Sequence, residues 1–250
     1  MGLHSSEILK KALFSLPPGM PISTWHLKKF GISRQLAYRY VQHGWLKQLG
    51  YGYYLRPGDK LTETGSVASL QANDVAVHIG GKSALTLKGF THYLSMSEST
   101  LTLYGRGVRN LPKWFQQQFK IVLSNSLLFD EPEKPAEQYC VSRLAQTADA
   151  PLVSEPERAV LEMLDLVPKQ QTLEEARQIM EGLQSLRSKK MQELLTHCKK
   201  IKAKRLFWQV AEELHLPVLA KVDATQIDFG SKSAYILQGE KTLVLRNPNG

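Results

Sequence analysis

Between residues 5 and 16 the apolar side chains Ile8, Leu9, Ala12, Leu13 and Leu16 recur every three or four positions. That spacing predicts an α-helix with one buried face. Ser5 or Ser6 can cap it, and Pro17-Pro18-Gly19 stops it. A second short helix fits 23–30, with Leu27 and Phe30 as core candidates, and Gly31 supplies the tight turn that follows. Ser33 then stands as the N-cap of a third helix, 34–43, closed by Gly44. Residues 45–56 alternate as a hairpin: a strand over 45–49, a turn at Gly50-Tyr51-Gly52, and a strand over 53–56. Pro57-Gly58-Asp59 ends the unit. Three helices and a hairpin in so short a stretch predict a winged helix-turn-helix over 1–60.

Beyond residue 60 the periods mix. Helices are expected over 64–72, 81–89, 156–166, 172–184, 188–200 and 203–214, and strands over 101–104, 121–123 and 138–141. The tail, 218–247, reads as strands with turns at Gly230 and Gly239. The expected class is α+β: an N-terminal winged helix-turn-helix followed by a larger mixed α+β domain, 61–250, open to subdivision near 150. A fragment 61–250 is expected to keep its core, since the head's apolar stripe closes within its own three helices.

Charge sharpens this division. The chain carries +9, but residues 1–60 hold nine basic residues and two acidic ones, a net of +7, leaving +2 for the rest. No acid lies between Glu7 and Asp59. A concentrated basic field attracts a polyanion, whereas a diffuse one mainly aids solubility.

On the third helix, Leu36, Ala37, Tyr40 and Val41 share one stripe, while Arg34, Gln35, Tyr38, Arg39 and Gln42 share the other. Arg pairs bidentately with guanine and Gln with adenine, so the polar stripe is a candidate for base contacts. Lys28 and Lys29 end the helix that crosses the DNA backbone in this motif. Lys47, Gln48, Tyr51 and Arg56 belong to the wing, and together with the two lysines they are candidate backbone contacts. A polar three-helix face can also dock on protein; the local charge favours double-stranded DNA.

Several stretches carry a likeness to a known family. In the head these are Ser33-Arg34-Gln35, His43-Gly44-Trp45-Leu46 and Gly50-Tyr51-Gly52-Tyr53-Tyr54. Later come Ser154-Glu155-Pro156-Glu157-Arg158-Ala159, Lys204-Arg205-Leu206-Phe207-Trp208 and Ile227-Asp228-Phe229-Gly230-Ser231. With these the chain resembles the AbiEi antitoxins of type IV toxin–antitoxin systems. The resemblance implies a repressor that binds its own promoter through the head. It also implies a C-terminal domain needed for antitoxin activity against a nucleotidyltransferase-like toxin, without a stable complex. The alternative is a stand-alone winged-helix regulator whose body senses a ligand or partner.

Other chemistry has little support. Gly81-Lys82-Ser83 ends like a phosphate-binding loop, but the glycine that motif needs five residues earlier is Ala76. The seven histidines show no metal-site spacing. His43 is expected to close the recognition helix, and Glu155 and Glu157 to serve a helix N-terminus. Neither cofactor nor metal nor catalysis is expected. Lys199, Lys200, Lys202, Lys204 and Arg205 read either as a solvated helix junction or as a second anion-binding patch, with a structural role as the alternative for Arg205, since it belongs to one of the stretches that carry the family likeness. Cys140 and Cys198 lie in no paired motif, no apolar run reaches the roughly 18 residues of a membrane span, and the N-terminus lacks signal-peptide features. A cytoplasmic protein without membrane contact is therefore expected.

Overall fold

Helix α1 (Leu3–Ser15) turns Leu9 and Ala12 into a small core, and Leu16 follows them just past its end. The computed structural model describes residues 3–91, 100–237 and 242–250. Ser5 and Ser6 fall inside this helix rather than at its cap, because the helix begins at Leu3. After the proline-glycine turn, β1 (Ile22–Ser23) leads into α2 (Thr24–Lys29) and α3 (Arg34–Gln42). Strands β2 (Lys47–Gly50) and β3 (Tyr53–Leu55) complete a three-stranded antiparallel sheet of order β1-β3-β2. The order α1-β1-α2-α3-β2-β3 is that of a winged helix. The first wing strand starts at Lys47, not Trp45. The amides of Trp45 and Leu46 still donate to the Tyr40 carbonyl, at 2.8 and 3.2 Å, which holds them in the turn leaving α3. Two-residue β1 is too short for alternation to reveal.

The body opens with α4 (Glu63–Ala72), β4 (His78–Ile79), α5 (Gly81–Leu87), β5 (Leu101–Tyr104), α6 (Lys113–Gln118) and β6 (Ile121–Ser124). It continues through β7 (Val141–Arg143), β8 (Leu152–Ser154), α7 (Pro156–Asp165), α8 (Leu173–Glu181), α9 (Ser188–His197) and α10 (Ile201–Glu213). Its sheet runs β6-β5-β4-β8-β7 and is mixed: β5 lies parallel to β6 and β4 to β8, the other pairs antiparallel. Helix α7 is the hub, packed against α5 and α10. The strand expected over 138–141 begins only at Val141, because Cys140 takes φ 57° and breaks the extended run. The helix expected to reach 200 ends at His197, where Cys198 turns extended and the Lys199 amide donates to the Leu128 carbonyl. The expected strand-rich tail is instead two 3₁₀ turns, at 217–221 and 224–226, before β9 (Tyr235–Leu237) pairs with β10 (Leu243–Leu245). Gly230 is a turn point at φ 76°, while Gly239 lies outside the described residues.

A buried ionic network, invisible to periodicity, holds α7 to the sheet. The Glu162 carboxylate accepts from Arg158 Nε at 2.8 Å, the Ser154 hydroxyl at 2.8 Å and the Gly81 amide at 3.1 Å, and pairs with His78 Nε2 at 2.9 Å. Arg158 also reaches Glu131 at 2.7 Å. Burial alone would raise the Glu162 pKa, but His78 and then Arg158 reverse that and bring it down to about 2. Glu155 and Glu157 likewise do more than face a helix N-terminus: both accept from Arg187, and Glu157 is buried.

The head and body cores touch. Tyr53 of the wing lies 5.3 Å from Trp114 of α6, ring to ring. A Cβ on Gly50 would stand 3.0 Å from Trp114 Cδ1, so the wing backbone approaches α6 at a distance only glycine permits without a shift. Ala68 of α4 belongs to the head's apolar cluster, and Tyr53 to the body's. The head's stripe is thus closed partly by a residue beyond position 60.

Candidate nucleic-acid interface

Helix α3 owes its start to Ser33, whose hydroxyl accepts from the Leu36 amide at 3.2 Å. Its end is His43, whose ring Nδ1 meets the Arg39 carbonyl at 2.7 Å. Gly31, at φ 71°, makes the turn from α2 that an L side chain would strain. Between these ends Ala37 and Tyr40 are buried, and Leu36 and Val41 pack partly buried against the same cluster. Arg34, Gln35, Tyr38, Arg39 and Gln42 are all exposed. The split matches the two stripes that the sequence predicts.

Helix and wing meet at one point. Arg34 Nη1 donates to the Tyr51 hydroxyl at 3.3 Å, and its guanidinium lies 5.9 Å from the Tyr51 ring centroid. Lys47, Gln48 and Tyr51 are exposed, Tyr51 by 84%. Lys28 and Lys29 are exposed on α2, where Lys29 Nζ sits 5.2 Å over the Trp25 ring. Trp25, 45% exposed, is a surface aromatic that sequence reasoning did not single out, because nothing in a six-residue helix sets a lone aromatic apart.

Arg56 stands apart from this set. Its Nη2 donates to the Leu16 carbonyl at 2.8 Å and its Nε pairs with Asp59 at 3.2 Å, so it latches the wing's last strand to the end of α1. The run from Lys199 to Arg205 does not form one exposed patch either. Lys204 and Arg205 are each 2% exposed, and Lys202 donates to the carbonyls of Asp165 and Val167, both at 2.6 Å. Lys199 pairs with Asp130 at 3.2 Å. The cause is helical geometry: α10 buries the face that carries Ala203, Leu206 and Phe207, and the basic side chains between them are drawn in.

His26 shapes the head from beneath. Its Nδ1 accepts from the Ser23 amide at 3.1 Å and sits 2.9 Å from the Ser23 hydroxyl, so the ring proton belongs on Nε2. Burial lowers its pKa to about 4; Asp149 opposes the shift and Lys29 adds to it. A neutral His26 therefore stabilises the fold above its ordinary 6.5, and this contribution is lost as pH falls from 6.5 towards 4. The loss should approach about 3 kcal/mol. A His26→Gln variant should lack this acid limb in urea titrations run at stepped pH. Parallel curves for the two proteins between those limits would remove His26 from the account.

No group of His, Cys, Asp and Glu among the described residues is arranged to hold a metal ion. No helix among them is long and apolar enough to cross a membrane.

Comparison with known proteins adds four findings. Residues 5–96 match a family model described as the N-terminal domain of the AbiEi antitoxin transcriptional regulators. Residues 98–244 match a second, described as AbiEi antitoxin, transcriptional regulator of a type IV toxin–antitoxin system. A search of curated proteins by sequence gave no match. In fold, the chain is similar to the crystal structure of the Rv2827c protein of Mycobacterium tuberculosis, with a TM-score of 0.53 at 14% identity, over 94% of this chain and 89% of that one.

Proposed function

Because the chain belongs to the AbiEi family of transcriptional regulators and type IV antitoxins, we propose that it represses its own operon in the cytoplasm by docking α3 in the major groove. The observation that carries this reading is the solvent stripe of α3, where two arginines, two glutamines and a tyrosine stand exposed beside the wing. Arg39 and Gln42, one turn apart, are placed to read successive base edges, with Gln35 nearer the helix start. Lys28, Lys29, Lys47, Gln48 and Tyr51 supply the backbone contacts that fix register. The body carries the antitoxin role, opposing a nucleotidyltransferase-like toxin without a lasting complex.

Arg39→Ala should weaken binding to the DNA upstream of the gene by about 1–3 kcal/mol and relax preference at one base pair. Fluorescence anisotropy with a panel of single-substitution duplexes measures both. Unchanged affinity and preference in Arg39→Ala and Gln42→Ala alike would show that α3 is not the reader.

Neutralising Lys28 and Lys29 should act differently. Binding should weaken evenly across sequences, and the log–log salt slope should flatten by about 0.9 for each phosphate no longer neutralised. A slope equal to that of the unmodified chain would mean that α2 does not meet the backbone.

A further inference from the structure

A cleft of about 670 Å³ opens between the helix-turn-helix and the end of α4. That volume falls in the range of roughly 300–1,000 Å³ typical of small-molecule sites. One wall carries Trp25, Lys28, Ser33 and Arg34; the other carries Asn73 and Asp74. The two walls differ in chemistry. Lys28 and Arg34 offer cations to an anion, beside an exposed indole on which a flat ring can lie. Asp74 is exposed and has no ion-pair or hydrogen-bond partner for its carboxylate among the described residues. Asn73 is held in place, its Oδ1 accepting from the Trp25 amide at 3.3 Å, and so ties the two walls together.

Asp74 also occupies a position that suits glycine. Helix α4 ends in a Schellman turn: the Val75 amide donates to the Leu70 carbonyl at 3.1 Å, and the Asp74 amide to Gln71 at 3.1 Å. The residue between cap and exit takes φ 59°, where glycine is unstrained. An aspartate here costs stability relative to glycine at a residue that lines the cleft, and strain of this kind gathers at ligand sites.

A ligand that satisfies both walls carries phosphate, a flat ring, and adjacent N–H donors for a carboxylate. Among the common bases guanine presents that pair, N1–H beside its exocyclic amine. We propose that this cleft binds a guanine nucleotide, with phosphate on Lys28 and Arg34 and the base edge on Asp74. Since the same two cations are assigned to DNA above, the nucleotide and the operator exclude one another. Only this competition rests on the proposed DNA reading; nucleotide binding itself does not.

The test titrates GMP, AMP and inorganic phosphate into the DNA-free full chain, following tryptophan fluorescence. GMP should saturate well below about 10 mM and bind at least about tenfold more tightly than AMP or phosphate. Asp74→Gly should raise the melting temperature, by relieving φ 59°, while weakening GMP at least about tenfold and leaving phosphate unchanged. Upstream duplex should displace bound GMP. No saturation by GMP, equal binding of all three ligands, or full GMP affinity in Asp74→Gly would each overturn the site. A duplex that binds without displacing GMP would overturn the exclusion. If the duplex does not bind at all while GMP does, the nucleotide site stands and the DNA reading falls.

Discussion

Replacing Arg205 by methionine should cost the fold about 3–5 kcal/mol, although methionine matches the stem in length and apolarity. Arg205 is 2% exposed, and its guanidinium pairs with backbone rather than with an acid. Its Nε donates to the Phe229 carbonyl at 2.7 Å, and Nη1 to Ser233 at 2.8 Å and Leu245 at 3.3 Å; Nη2 donates to Ser231. One side chain on α10 thus gathers the segment after Ile227 and the last strand, β10. A buried ion pair can be swapped for apolar side chains at little cost when both partners go. Here the partners are carbonyls, which no substitution removes, so losing the donor leaves several of them unsatisfied. Arg205→Lys should recover only part of the loss, because a single ammonium cannot match the planar fork. Urea unfolding followed by circular dichroism gives the numbers. A methionine variant within about 1 kcal/mol of the parent would mean water replaces the guanidinium readily.

The Glu162→Ala change should be of comparable size, about 3–5 kcal/mol, for the opposite reason. It strands a cation. Arg158 would keep Glu131 but lose its partner on the adjacent turn, and His78, Ser154 and the Gly81 amide would lose their common acceptor. Glu162→Gln should be milder, since an amide oxygen still accepts. The parent's depressed Glu162 pKa adds stability above the ordinary carboxylate value of 4.5, and that share fades as pH falls towards 2. The glutamine variant should therefore lose the difference at low pH. If Glu162→Ala and the parent unfold at the same denaturant concentration at pH 7, the network is not holding α7 to the sheet.

These two residues also mark the limit of what the chain discloses before folding. The α3 stripes are legible because a helix exposed on one side repeats its polarity every turn, and Ser33 and Gly44 bracket it with unambiguous chemistry. The α+β class and the long helices of the body are legible for the same reason. Strands β1 and β4 are not, being two residues long, and the 217–226 stretch reads as strand because its apolar residues lack a helical period. Arg205 sits in a basic run that the sequence leaves open between solvent, an anion and, for Arg205, a structural role; its burial bears out the last, and only the path of the final strand shows which carbonyls it serves. Arg158 and Glu162 are four apart and resemble an ordinary surface pair, until Ala159, Leu161 and Met163 prove buried all around the helix. At the interface, Arg56 reads as a wing cation because its true partners, Leu16 and Asp59, are set by how α1 meets the wing. Trp25 escapes because exposure of a lone aromatic depends on the neighbouring turn.

The proposed division of labour is best tested with point changes in the full chain. A cut after residue 60 would part Ala68 from the head cluster and expose Trp114, confusing misfolding with loss of function. The decisive measurement pairs two readouts in the Arg39→Ala/Gln42→Ala chain: repression of a reporter behind its own promoter, and growth rescue against the co-expressed neighbouring toxin. Both residues are exposed, so the variant should melt with the parent. Repression should be lost while rescue stays at the parental level. A stable variant that still represses, or one that no longer rescues, would contradict a DNA-reading head joined to an antitoxin body.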